Sequence, residues 1–165
     1  MSDLVTLRPA EPGDLDRILE IYNHEVLVST ATYDTTPRST EEHRKWFEHH
    51  GQKHPVIVAM AEGRVCAWAS LSPWAERAAY DSSVEVSVYV DEQYRRRGIG
   101  GRLLQALIEA GRELGHHAVL ARISSDNVAS VRLHAECGFS TVGLLKEVGI
   151  KFGRMLDVTI MELLL

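Results

Sequence analysis

Four valines at alternate positions, Val84, Val86, Val88 and Val90, lead directly into Asp91-Glu92-Gln93-Tyr94-Arg95-Arg96-Arg97-Gly98-Ile99-Gly100-Gly101-Arg102, and this junction constrains the chain more than any other. The alternation predicts a strand over 84–90 with the valines on one face and Glu85, Ser87 and Tyr89 on the other. Leu103, Leu104, Leu107, Ile108 and Leu114 then recur at helical spacing, which predicts an amphipathic helix over 98–114. At such a strand-to-helix turn the first-turn amide hydrogens point at one spot, the macrodipole favours negative charge, and glycines let an anion approach the backbone. Arg95, Arg96 and Arg97 add positive charge beside it. The segment predicts a cradle for a pyrophosphate. It is neither a Walker A loop, which needs Lys-Ser or Lys-Thr after the glycines, nor the dinucleotide fingerprint with its three spaced glycines.

The remaining elements fall around this junction. A short strand over 4–8 precedes Pro12-Gly13-Asp14, which opens a helix carrying Leu15, Ile18, Leu19, Tyr22 and Val26 on one face. A polar loop over 29–38 follows, and Ser39 with Glu42 is a capping-box signature for a second helix reaching about His50. Apolar runs at 55–61 and 65–71 flank Glu62-Gly63-Arg64 as a hairpin, and a turn-rich segment with Pro73 leads to the valine strand. After the central helix come a strand at 118–123, a helix at 127–137 and closing strands near 140–145 and 156–163. The order β-α-α-β-β-β-α-β-α-β-β predicts an α/β fold with a mixed central sheet and helices on both faces, since the two late helices must join roughly parallel strands.

A length of 165 residues suits one domain. With 45% hydrophobic and 25% charged residues the chain reads as globular, not disordered. A net charge of -5 gives no general field for nucleic acid or an anionic membrane, so neither is an expected partner and an anion site must be local. No apolar run approaches the roughly 20 residues that span a bilayer. Met1, Ser2 and Asp3 lack the start of a signal peptide, so the expected location is cytoplasmic. Cys66 and Cys137 read as free, packed thiols.

Arg95-x-x-Gly98-x-Gly100 after a Val-x-Val strand resembles the acetyl-CoA-binding motif of the GNAT acetyltransferase superfamily. Asn127-x-x-Ser130-x-x-x-His134-x-x-x-Gly138-Phe139 is similar to the superfamily's next helix, and the element order matches over nearly the whole chain. Within it, residues 84–90 and Lys151-Phe152-Gly153-Arg154 are similar to the phosphinothricin and methionine sulfoximine N-acetyltransferases. The resemblance implies acetyl-CoA as co-substrate: Val88, Tyr89 and Val90 offer backbone hydrogen bonds to pantetheine, and Arg96, Arg97, Gly98, Ile99, Gly100 and Gly101 hold the pyrophosphate. Asn127 and Ser130 lie toward the far end of the cofactor, although Asn127 also reads as a helix cap. The resemblance further implies a homodimer, and a substrate pocket with Arg77 on an acidic group and Tyr33, Lys151 and Phe152 as walls.

Glu85, mid-strand beside the cofactor motif, suits a general base if a cleft solvates it or a partner pairs with it. By the resemblance His134 either protonates the departing thiolate or helps deprotonate the amine. The other histidines show no metal-ligand spacing, so no metal is expected, and no Gly-x-Ser-x-Gly turn is present for a serine nucleophile. Direct acetyl transfer in a ternary complex to the α-amine of phosphinothricin, methionine sulfoximine or methionine sulfone is the expected reaction. By the resemblance, Ala75 stands where some phosphinothricin-detoxifying relatives carry a basic residue and Met155 where close relatives often carry tryptophan; the one lost cation moves the expectation toward the neutral-headed sulfone and sulfoximine. Two other readings stay open: a GNAT enzyme for a protein N-terminus, polyamine or aminoglycoside, and a non-catalytic acetyl-CoA sensor.

Overall fold

The alternating valines form the strand from which the sheet is built outward. In the computed structural model, which describes residues 4–165, seven strands run in the order β1-β2-β3-β4-β5-β7-β6. They are β1 (Thr6–Pro9), β2 (Val56–Ala61), β3 (Arg64–Pro73), β4 (Ser83–Val90), β5 (Ala118–Ser124), β6 (Ser140–Lys151) and β7 (Arg154–Leu164). The helices are α1 (Leu15–Val28), α2 (Thr40–His49), α3 (Ile99–Glu113) and α4 (Val128–Glu136), in the chain order the sequence predicts. Expectations drawn from Met1, Ser2 and Asp3 lie outside the described residues. No described helix is long and apolar enough to cross a membrane.

Two packed layers cover the sheet. Val84 and Val86, with Val88 and Val90 beside them, pack with Leu103, Leu104, Leu107 and Ile108 of α3 on one face. On the other, Ile18, Ile21, Tyr22 and Val26 of α1 meet Val56, Val58 and Trp68. The predicted capping box starts α2: Ser39 Oγ accepts from the Glu42 amide at 3.2 Å, and Glu42 Oε2 accepts from the Ser39 amide at 2.8 Å.

Strand ends depart from the sequence reading. β3 continues to Pro73, and β6 and β7 extend into one hairpin closed at Phe152-Gly153. Both residues have positive φ (53° and 72°), as have Glu62 and Gly63 (52° and 76°) in the β2–β3 hairpin, the conformation of tight two-residue turns. A bulge around Glu147, also at positive φ, breaks the alternation of β6 and conceals its continuation beyond the predicted 140–145; Asp157 Oδ1 accepts the Glu147 amide there at 2.8 Å.

Among the described residues only β4 and β5 pair in parallel, over Ser83–Ala118, Val84–Val119 and Glu85–Leu120. β4 continues to Val90 paired with β3, and β5 to Ser124 paired with β7, so each is held on its outer side alone. The sheet therefore parts in its middle directly after Glu85.

Candidate active site

The face of β3 and β4 turned toward α1 and α2 becomes polar as it nears the parting. Cross-strand partners Trp68–Tyr89, Ser70–Ser87 and Ser72–Glu85 form the floor of a cavity of about 310 Å³. Trp68 stacks on Tyr89 with centroids 4.9 Å apart, and Tyr22 meets Tyr89 edge-on at 5.3 Å. Asp34, Arg38, Trp46, Arg122, Ser130 and His134 line its walls.

Glu85 is expected to need a cleft or a partner, and it has both. Arg122 of β5 donates to its Oε2 from Nε at 2.8 Å, and a terminal guanidinium nitrogen lies 2.5 Å from the same oxygen as an ion pair. Arg38 meets Asp34 at 3.3 Å, so both lining carboxylates are matched by guanidiniums. His134 is buried, edge-on to Phe139, with Nδ1 2.8 Å from the Ser130 carbonyl. A carbonyl only accepts, so Nδ1 carries the proton in that bond. Burial holds the ring's pKa below the ordinary imidazole value, and the neutral ring leaves Nε2 as an acceptor. Desolvation pushes the Tyr33 phenol at the rim up to about 12.

A second cavity, about 790 Å³, lies beyond the parting and shares Ala31, Val88, Tyr89, Asn127 and Ser130 with the first. Gly98, at φ 74°, turns the chain into α3, and the first intrahelical bond is Arg102 N–H to the Gly98 carbonyl at 3.2 Å. The amides of Ile99, Gly100 and Gly101 precede that bond and have no helical acceptor. Arg96, itself at positive φ, lines the cavity, and together with Gly98 it makes the backbone concave, as an anion nest requires. A Cβ on Gly100 would lie 3.2 Å from Leu133 Cδ2, so the glycine also lets α3 pack tightly on α4.

The three arginines divide. Arg95 lines this cavity but is ion-paired with Glu25 of α1 and donates to the Val90 carbonyl at 3.1 Å, which ties the turn to α1. Arg97 lines neither cavity; its guanidinium lies 5.1 Å from the Tyr94 ring. Asn127 caps α4 by accepting the Ser130 amide at 3.2 Å and also lines both cavities.

The model of the acetyltransferase (GNAT) family matches residues 16–139, a span that takes in the parted strands, the glycine turn and Glu85. The chain belongs to the GNAT family. It is 42% identical over 160 residues to the L-methionine sulfoximine/L-methionine sulfone acetyltransferase of Pseudomonas aeruginosa, covering 96% of this chain and 93% of that one. A phosphinothricin acetyltransferase from Sinorhizobium meliloti, solved with acetyl-CoA, is 39% identical with a TM-score of 0.95, covering 98% and 88% of the two chains. A ribosomal-protein-alanine N-acetyltransferase from Brucella melitensis is 40% identical with a TM-score of 0.94, covering 97% and 99%.

In this GNAT chain the loop after α1 roofs both cavities and is held from two sides. Thr30 Oγ1 donates to Asp126 Oδ1 at 2.9 Å, and Asp126 also accepts from Ser124 at 2.6 Å and Arg154 at 2.6 Å. Those partners, Ser124 foremost, keep the carboxyl below its ordinary range. Lys151, expected as a pocket wall, is buried and donates to the Thr32 carbonyl at 2.8 Å, so it reaches the cavity only through that loop; burial lowers its pKa. Arg77 and Phe152 line neither cavity. Arg77 is exposed where the segment before β4 coils into a short 3-10 turn, and Phe152 is exposed at the hairpin tip. The guanidiniums that do line the first cavity, Arg38 and Arg122, were missed, as were Trp46, Trp68, Ser70 and Ser72. Ser70 and Ser72 had a readable signal: hydroxyls at alternate positions in an apolar strand. Among the described residues no group of three or more His, Cys, Asp or Glu could hold a metal ion.

Proposed function

We propose that the chain is an acetyl-CoA-dependent N-acetyltransferase for the α-amine of a small amino acid with a polar, uncharged side-chain head, of the methionine sulfone or methionine sulfoximine kind. The observation that carries this reading is the meeting of the two cavities at the parted strands, with Glu85 and His134 on one side and the glycine turn on the other. The larger cavity suits the co-substrate: unbonded first-turn amides and Arg96 face it, and β4 beyond Glu85 offers backbone groups with no β5 partner. Acetyl-CoA supplies the thioester whose acyl group is transferred.

The chain's own residues then divide the work. Glu85 takes the ammonium proton, and the Nε2 lone pair of His134 favours assistance to that deprotonation over protonation of the thiolate. Amides of residues 88–90 polarise the acetyl carbonyl. Direct transfer with both ligands bound is supported by the thiols. Burial raises the pKa of both Cys66 and Cys137, and neither lines a cavity. Both are free, as a reducing cytoplasm keeps them.

The relative acting on methionine sulfoximine and sulfone supports the acceptor class. So does the charge of the first cavity: its two guanidiniums, Arg38 and Arg122, face two carboxylates, Asp34 and Glu85, so beyond a single contact to the α-carboxylate it has no surplus positive charge for a phosphinate. A homodimer is part of the proposal. Val142, Leu144, Val148 and Ile150 leave the edge strand β6 exposed and apolar, as a face covered by a second copy would be. Light scattering checks it; a monomeric mass at micromolar concentration overturns it.

The deciding experiment is a thiol-release assay over methionine sulfone, methionine sulfoximine, phosphinothricin, methionine, a polyamine, an aminoglycoside and an alanine-ended peptide. The sulfone and sulfoximine are expected to lead. A peptide or polyamine in front overturns the acceptor class, and tight acetyl-CoA binding with no turnover overturns catalysis.

A further inference from the structure

An ion pair lining an open cavity shows, by the atoms it leaves spare, what can complete it. Glu85 and Arg122 stand on β4 and β5 at the point where the two strands part. Both contacts from Arg122 go to one oxygen, Oε2. Among the described residues Oε1 of Glu85 and the second terminal nitrogen of Arg122 have no partner. The Arg122 side chain is 49% exposed, and its guanidinium lies 5.2 Å from the Trp74 ring centroid, which steadies its plane. Arg38 is engaged differently, 4.2 Å over the Tyr22 ring and bonded to Asp34.

A spare carboxylate oxygen beside a spare guanidinium nitrogen is complementary to an ammonium and a carboxylate one carbon apart. A polyamine fills only the first position. A peptide N-terminus brings a neutral carbonyl to the second, where a carboxylate gains a charge-assisted bond.

We infer that the Glu85–Arg122 pair is a receptor for the acceptor's zwitterion: Oε1 takes the ammonium, and Arg122 takes the α-carboxylate and so restricts acceptors to free α-amino acids. This rests on the acceptor site proposed above. It assigns Arg122 a role that no motif in the sequence marks.

The test compares kcat/KM for methionine sulfone and methionine sulfone amide in the wild type, Arg122→Gln and Arg122→Lys. The two acceptors share side chain and amine position, so any change in the base or the fold largely cancels in their ratio. The wild type is expected to prefer the free acid, and Arg122→Gln to cut that preference by about tenfold to a hundredfold, mainly through the KM of the acid. Arg122→Lys, which keeps the charge without the planar fork, is expected to restore part of it. An acid-to-amide ratio unchanged in Arg122→Gln overturns the receptor and leaves the acetyltransferase reading intact. A wild type that turns over neither acceptor overturns both.

Discussion

The two cavities are made of different material. The one at the glycine turn presents backbone along one wall, where the αL residue Gly98, the unbonded amides that follow it and the unpaired edge of β4 all lie within residues 86–101, and takes its other wall from α1, the loop after it and α4. The one above Glu85 is side chains brought from α1, the loop after it, α2, β3, β4, β5 and α4. A backbone site tolerates most side-chain changes and reads any anion of suitable shape, whereas a side-chain site is retuned by single substitutions. A transferase with a constant donor and a selectable acceptor needs one of each.

Substitutions should separate the two. The largest effect is expected from Glu85→Gln, which keeps the shape of the side chain and loses the base: kcat should fall about a hundredfold to ten-thousandfold while acetyl-CoA affinity by calorimetry stays unchanged. Equal loss on both ligands would mean that the cavities are not separable.

Acid should act on the side-chain cavity first. Burial lowers the pKa of His43 to about 4 and also lowers those of His50 and His134. His43 stacks on Trp46, His50 bonds Ser72, and His134 lines the cavity itself. A base with a folded pKa below its unfolded one gains protons on unfolding, so its stabilising contribution is whole above about 6.5 and falls away toward 4. His43 alone contributes up to about 3 kcal/mol over that window. Thermal melts from pH 7 to pH 4.5 should show it, flattened in His43→Phe, and acceptor KM should rise before acetyl-CoA affinity falls. A melt independent of pH would remove the buried neutral imidazoles from the account.

Smaller effects are expected on the backbone side. Arg96→Ala should weaken acetyl-CoA about tenfold, one charge-assisted contact, with acceptor KM unmoved. Gly98→Ala meets open space, so only its positive φ is strained, at about 1 kcal/mol in a denaturant titration. A loss of acetyl-CoA affinity in Arg96→Ala far beyond tenfold, with Gly98→Ala without effect on it, would mean that a side chain, not the backbone turn, was holding the anion there.

The same contrast explains what could be read from the sequence. Residues 84–102 are contiguous, and each signal in them, alternation, glycine and helical spacing, is local; the strand, the turn and the gap-facing residues followed from them. The acceptor cavity depends on register. Ser72 stands opposite Glu85 only because the β3–β4 pairing puts it there, and Arg122 reaches Glu85 only across the parted ladder. Arg77 shows the limit of a local reading: its guanidinium is chemically apt and close in sequence to Glu85, but in this fold it stands exposed at the start of a 3-10 turn, outside the lining of either cavity. Lys151 is 119 residues from the carbonyl it holds, a contact that no local pattern encodes.

The shared roof has a consequence for how such a protein can diversify. Ala31 lines both cavities, and its carbonyl accepts the Tyr89 hydroxyl at 3.4 Å, so a change in that loop is felt by donor and acceptor together. Ser70, Ser72 and Arg122 touch the acceptor cavity alone. Lineages or libraries that acquire new acceptors without losing the donor should therefore accumulate their substitutions on β3 and β5, and leave the loop after α1 nearly untouched.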